Sequence, residues 1–271
     1  MSSVIYRLQY QTNLTHAEKE CASYILQNIH EVPGKSITEL AYMSGYSTAT
    51  ISRLCKKINH SGFELFQQEL STELTHHDLN ANFPFDKGNS IKDVRDKLEL
   101  LYDATIKETI EGIDEGVTTA IVDAIENVSS LTVYSSAQYL NHASILQAKM
   151  VVLDHYVNVI PQQYYFAAAK ASGPSSVSII LSYEDDDRLI KTNAILKKQG
   201  GKIILISSPR AKTLIENCTY HIALADLEKP EVKISTFSSL LSMAYALDYL
   251  IGCLFMRHYD DNMKRHINTG L

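Results

Sequence analysis

Five residues within ten positions, Thr48, Thr50, Arg53, Lys56 and Lys57, supply the hydroxyls and fixed positive charges that bond to base edges and neutralise phosphates. No Asp or Glu occurs from 40 to 63, although the whole chain carries a formal net charge of -6. A basic, acid-free stretch on an acidic protein confines polyanion attraction to one face. Each phosphate neutralised releases counterions, so binding through this stretch should weaken steeply with salt. A plain solvated pair of amphipathic helices would also tolerate these charges. The elements around them decide between the two readings.

Ile37, Leu40 and Ala41 recur at helical spacing, and Ala41 is small where two helices must cross closely. Gly45 stands where a left-handed residue would end that helix. Ser47 is a good N-cap for the next one. Ile51, Leu54 and Ile58 form the apolar stripe of this second helix, leaving Thr48, Thr50, Arg53, Lys56 and Lys57 outward or on its flanks. The pattern is that of a helix-turn-helix with its reading face outward. Thr48, Thr50 and Arg53 are placed for base edges; Ser47, Lys56 and Lys57 are placed for phosphates. The surrounding unit runs from about Tyr6 to residue 74. Thr15 caps a helix reaching residue 28, with Glu18 completing a capping box and Ala17, Cys21, Tyr24, Ile25 and Ile29 as the apolar face. Ser36 and Glu39 repeat the box after Pro33 and Gly34. Ser61, Gly62 and Phe63 make a turn into a helix over 63–74 that carries Phe66 and Leu70 inward. Five short helices around one small core are expected.

With 271 residues, 45% apolar and 21% charged, the chain has the make-up of an ordinary globular protein and room for two domains. From 75 to 90 the composition shifts to His, Asp, Asn, Pro, Lys and Gly, which reads as a linker. Helices are expected over 91–111 and 115–127. Beyond 128, short apolar runs at 131–135, 157–160, 177–182, 202–207 and 221–224 alternate with helical segments at 137–152, 162–171, 187–199 and 210–217. Continuous apolar strands separated by helices predict a parallel sheet covered on both faces. A last helix over 235–258 is apolar on most of its circumference. Its stretch 240–255, interrupted by Ser242 and Asp248, reads as too short to cross a bilayer. Arg7 and the acids Glu18 and Glu20 stand where a signal peptide would need an apolar segment. The four cysteines have no metal-ligand spacing and read as free thiols, so the chain is expected to be cytoplasmic and not a membrane protein.

Other chemistry finds little support. Gly34-Lys35-Ser36 looks like the tail of a phosphate-binding loop, but Ile29 stands where the earlier glycine belongs and no strand precedes it. His76 and His77 are adjacent rather than four apart, so they share no helix face for a metal. No Ser-His-Asp arrangement carries a local signature. The acids from Glu184 to Asp187 are consecutive and converge poorly on a cation. Tyr164, Tyr165 and Phe166 read as helix core and pocket wall. No catalytic residue, metal or cofactor is assigned.

The order of these parts resembles the RpiR family of bacterial transcription regulators, which join a helix-turn-helix domain to a sugar isomerase (SIS) domain. The residues that carry the likeness are 36–41, 45–54 and 61–63, and it extends over nearly the whole chain. It implies a helical DNA-binding domain at 1–75, a linker at 76–90, and at 91–271 an α/β SIS domain with two leading helices and a five-stranded parallel sheet flanked by helices. It also implies a homodimer or homotetramer on double-stranded operator DNA, controlled by a sugar derivative. The effector would lie at the carboxyl ends of the strands, near Ser135, Ser136, Ser182, Tyr183, Glu184, Ser207 and Ser208. Two departures bear on it. The loop after the first strand, Tyr134-Ser135-Ser136-Ala137-Gln138, lacks the family's glycine. After the third strand, where the family carries Ser-x-Ser-Gly-x-Thr, this chain has Ser182-Tyr183-Glu184-Asp185-Asp186-Asp187. Two unit charges about 6 Å apart in water interact by about 0.7 kcal/mol, so several carboxylates could erase a micromolar phosphate site worth about 8 kcal/mol. The same acids could instead be a solvated helix-capping run. The pocket is thus expected to take an amino-bearing, uncharged or cation-assisted ligand, or none. A phosphosugar isomerase-like enzyme and a regulator whose SIS domain only dimerises are the alternatives.

Overall fold

Reciprocal caps set the helix starts in the N-terminal part of the chain. The computed structural model describes residues 4, 7–8, 13–29, 31–59, 62–78, 81–82, 84–85, 87–128, 130–229 and 233–269, in two units, 1–80 and 81–271. Helix α1 (His16–Gln27) follows Thr15, whose amide donates to Glu18 Oε2 at 2.7 Å. Helix α2 (Ile37–Ser44) follows Ser36, whose amide donates to Glu39 Oε2 at 2.7 Å while Glu39's amide donates back to Ser36 Oγ at 3.2 Å. Gly45 ends it at φ 72°, a conformation that costs glycine little. Helix α3 (Thr48–Asn59) starts behind Ser47, whose Oγ accepts Thr50's amide at 3.2 Å. Helix α4 (Phe63–Asp78) is a turn longer than the 63–74 of the sequence pattern. Cys21, Ile25, Leu40, Ile51, Leu54, Ile58, Phe66 and Leu70 form the core.

One face differs from expectation. Ala17 is exposed, and its neighbour Glu18 is buried at 2% exposure. The capping box turns Glu18 back toward Thr15 and inward, and Ala22 takes the core position instead. Of the five helices expected, four stand among the described residues, and Val4, Arg7 and Leu8 are also helical. Tyr6, Ser61 and the side chains of His76 and His77 lie outside the described residues.

The second unit opens with helices α5 (Ile91–Gly112) and α6 (Glu115–Glu126). Five parallel strands follow: β1 (Ser130–Ser135), β2 (Tyr156–Val159), β3 (Val177–Leu181), β4 (Lys202–Ser207) and β5 (Tyr220–Ala223), in spatial order β2-β1-β3-β4-β5. Between them run α7 (Leu140–Val152), α8 (Tyr165–Ala171), α9 (Asp187–Gln199) and the short α10 (Lys212–Ile215). Strand residues alternate between two cores. Leu131, Val133, Ile179, Leu181, Ile204 and Ile206 face one side with α6, α7 and α11 (Phe237–Arg257); Tyr134, Ile180, Ile203 and Leu205 face the other with α8, α9 and α10. Covering on both faces explains the unbroken apolar runs. The segments expected to be helical from 137 and 162 begin as 3₁₀ turns, and α12 (Tyr259–Thr269) was not anticipated.

Helix α11 is 21 residues long and apolar enough, by length and composition, to cross a bilayer, which corrects the shorter span read from 240–255. Its polar residues place it in the protein core instead. Ser238, Ser239 and Ser242 are fully buried, and Ser238 and Ser242 meet Thr105 and Thr109 of α5 at 2.9 and 2.7 Å. Within the segment 76–90, expected as a linker, Asn82 and Phe85 are tied into the second unit. Asn82, 3% exposed, accepts Lys229's amide on its side-chain oxygen at 2.8 Å, and Phe85 packs edge-on against Phe237 at 5.8 Å.

Candidate nucleic-acid interface and switch-point site

Helix α3 presents Thr48, Arg53 and Lys56 to solvent, beside the exposed Ser47. Two of the residues expected there are placed otherwise. Thr50 is 8% exposed, so it does not face outward; its hydroxyl lies 3.0 Å from Ser47 Oγ and accepts from Arg53 Nη2 at 3.4 Å. Thr50 therefore orients Arg53 from behind. Lys57 donates to Glu18 Oε2 at 2.7 Å and to the Asn13 carbonyl at 3.1 Å. Burial alone would raise Glu18's pKa, but the hydrogen bonds from Lys57 and the Thr15 amide, with Lys57's charge, outweigh it and lower the pKa to about 2. Sequence reasoning missed Glu18 as anything but a cap. Its only signal was the unusual role of an acid next to a core face.

The sheet order places a reversal of winding between β1 and β3, the crevice where open α/β sheets bind ligands. Ser135 sits at the end of β1 opposite Leu181, and Ser136's amide donates to the Leu181 carbonyl at 2.9 Å. Ser135 is 2% exposed, and the Oγ atoms of Ser135 and Ser136 are buried without a hydrogen-bond partner among the described residues. The backbone beneath them is fixed by Tyr165, whose hydroxyl donates to the Ser135 carbonyl at 2.6 Å and accepts its amide at 3.0 Å.

The other expected residues meet at the ends of β3 and β4. Ser182 Oγ donates to the Glu184 carbonyl at 2.7 Å, and Ser208 Oγ donates to the Tyr183 carbonyl at 2.6 Å. Ser207 Oγ lies 3.0 Å from His221 Nε2. Tyr183 is buried, and burial first of all pushes its pKa well above the ordinary phenol value. Its hydroxyl donates to the Ala225 carbonyl at 3.0 Å and accepts Glu228's amide at 3.3 Å, under the Arg210 guanidinium 5.2 Å from its ring. Arg210 pairs with Asp226 at 2.5 Å, and the fully buried Glu228 accepts from Ser239's amide, Ser239 Oγ and Lys233. Arg210, Asp226, Glu228 and Lys233 lie in turns without a motif, so the sequence did not single them out. Tyr183 thus occupies its surroundings as a packed residue.

The acidic run divides by role. Asp186 caps its own helix, accepting the amides of Arg188 and Leu189 at 3.0 and 2.9 Å. Asp185 caps α10, accepting the amides of Thr213 and Leu214 at 3.0 and 3.1 Å. Glu184 and Asp187 are exposed. Between the two readings of this run, helix capping accounts for two of its four carboxylates.

A model of a helix-turn-helix domain, rpiR family, matches residues 5–77. The chain is 22% identical to an uncharacterised HTH-type transcriptional regulator of Clostridium perfringens, over 94% of this chain and 92% of that protein. Its fold is similar to that of the Vibrio vulnificus NanR protein complexed with ManNAc-6P, with a TM-score of 0.60 at 17% identity over 99% of this chain and 97% of that one. It is also similar to the sugar isomerase domain of an RpiR transcription factor from Sphaerobacter thermophilus, with a TM-score of 0.58 at 10% identity over 65% of this chain and 98% of that one. At such identities the two structures establish the fold of the second unit. Residues 5–77 are thus a helix-turn-helix domain of the rpiR type, and the unit behind it has the sugar-isomerase fold, the build of a transcriptional regulator.

Proposed function

We propose that this regulator is a cytoplasmic homodimer or homotetramer that grips operator DNA through α3 and answers to a carbohydrate derivative, without catalysis. The observation that carries the reading is the exposure of Thr48, Arg53 and Lys56 on one acid-free helix. Thr48 and Arg53 address base edges, Thr50 steadies Arg53, and Ser47 and Lys56 meet phosphates. Lys57 is withheld from that set because its ammonium is already paired. Apolar side chains exposed at Leu140, Ile145 and Val151 of α7 support a contact between copies. Charge reversal at Arg53 (Arg53→Glu) should abolish binding to a duplex enriched from a random-sequence pool while leaving the oligomer intact by gel filtration. Retained affinity would refute the placement of α3.

The effector site is the crevice between β1 and β3, where the Ser135 and Ser136 hydroxyls have no partner among the described residues. Ser182, Tyr183, Ser207 and Ser208 form its floor, and Glu184 stands exposed at its edge. The sugar phosphate held by Vibrio vulnificus NanR supports a carbohydrate derivative, while Glu184 and Asp187 favour a ligand with amino or hydroxyl groups over a bare phosphate. A thermal-shift screen of sugar phosphates, amino sugars and neutral sugars tests this. Turnover of a ketose or aldose phosphate would replace the reading with an isomerase.

A further inference from the structure

We propose that Glu18 and Lys57 form a clasp that fixes the roll of the reading helix, making Lys57 a positioning residue for DNA recognition and not a phosphate contact. The inference rests on α3 being the DNA-reading helix. Lys57 lies in the last turn of α3 and Glu18 in the first turn of α1, 39 residues apart in sequence. The ammonium is 2.7 Å from Glu18 Oε2 and 3.1 Å from the Asn13 carbonyl, so two of its three donors are spent inside the protein. Glu18's carboxylate is 2% exposed and also accepts the Thr15 amide at 2.7 Å. Swinging Lys57 out to a phosphate would leave that buried carboxylate without its counter-charge, which is strongly unfavourable.

Geometry makes the clasp matter for reading. Successive helical residues are about 100° apart, so a roll of α3 by a few tens of degrees turns Thr48 and Arg53 away from a groove and brings other side chains toward it. Ile51, Leu54 and Ile58 seat one side of the helix in the core, but apolar packing is non-directional. The ion pair adds a directional tether on the flank, one turn beyond Arg53. Lys56, next in sequence, is exposed and in no ion pair among the described residues. Two adjacent lysines of equal charge are therefore assigned different tasks.

The test compares full-length variants on two probes: the duplex that the wild-type chain enriches from a random-sequence pool, and an unrelated duplex of equal length. Lys56→Gln should weaken both probes alike and flatten the slope of log Kd against log salt by about 0.9, the signature of one lost phosphate contact. Lys57→Met should cost about tenfold or more on the enriched duplex only, with the slope unchanged. Glu18→Gln should show the same pattern, the double variant should be no worse than Lys57→Met alone, and Lys57→Arg should restore most of the affinity. Equal losses on both duplexes with a flatter slope for Lys57→Met would overturn the clasp. So would an unaltered affinity in Glu18→Gln. If Lys57→Met unfolds its domain, Glu18→Gln and Lys57→Arg still decide. A wild-type chain that enriches no duplex would refute the DNA-binding reading itself, an outcome distinct from these.

Discussion

Glu18 is a carboxylate removed from water, and its pKa carries a sign that can be checked. Its folded value near 2 lies below the ordinary 4.5, so the ionised form is favoured by folding. Its contribution is complete above the unfolded value and is lost as pH falls through the folded one, a window from about pH 5 to pH 2 worth at most about 3 kcal/mol. Urea unfolding of wild type and Glu18→Gln should therefore show a gap at pH 6 that closes toward pH 2. A gap constant across that range would mean that the carboxylate is not held as described. Tyr165 makes a second residue-scale case. Phenylalanine there would strand Ser135's buried amide and should cost about 1–3 kcal/mol. Both residues show why chemistry at single sites was only partly legible. Lys57 looked like one more outward cation because a helical wheel sees its neighbours along the helix and not a carboxylate 39 positions away. Thr50 looked outward because the stripe of Ile51, Leu54 and Ile58 says nothing about how deep its flank lies.

Elements were legible where a local bond fixes them. Ser36, Gly45 and Ser47 mark the limits of α2 and α3 because each satisfies or redirects backbone groups beside it, and those boundaries emerge directly from residue type. The strand cores were equally readable, since Ile179, Ile180 and Leu181 must be buried whichever face they take. What failed was decided at a distance. Helix α4 runs on to Asp78 through a composition that reads as linker, and α10 starts only at Lys212, where Asp185, from the loop before α9, caps it at Thr213 and Leu214. The pairing of α5 with α11 is a similar case. Ala225's amide donates to Ser242 Oγ, which lies 2.7 Å from Thr109 Oγ1, which in turn donates to the Thr105 carbonyl. Ser242→Ala leaves both Ala225's amide and Thr109 short of a partner and should cost about 1–3 kcal/mol. Thr109→Val should cost less, because Ser242 keeps Ala225's amide. Thermal denaturation of the two variants checks the order, and equal losses would deny Ser242 its double role.

At the scale of the whole molecule, the proposed reading requires an effector site in the second unit to influence DNA binding by the first, and the second unit holds two hydrogen-bonded connections leading to its own first residues. One is the helix pair α5 and α6, tied to the sheet through the hydroxyl contacts with α11 and through Glu108, which accepts Asp226's amide at 2.9 Å. The other is shorter. Tyr183, at the crevice, holds Glu228's amide; the next residue, Lys229, is clasped on both its amide and its carbonyl by the Asn82 side chain at 2.8 and 3.2 Å. Asn82's own carbonyl accepts Ile234's amide at 2.9 Å. The first unit ends at residue 80, so on the proposed reading a shift of the 225–229 loop would act through Asn82 on the chain that follows it. A ligand can move such an equilibrium only by its differential affinity for two states, and the coupling must be reciprocal. Asn82→Ala is therefore expected to keep the thermal shift given by an effector and to keep ligand-free operator affinity, while the effector's influence on operator Kd, typically about 5–150-fold for coupled sites, falls toward unity. Full influence in Asn82→Ala, with influence lost in Ser242→Ala, would assign the transmission to α5 and α6 and leave Asn82 a structural fastening.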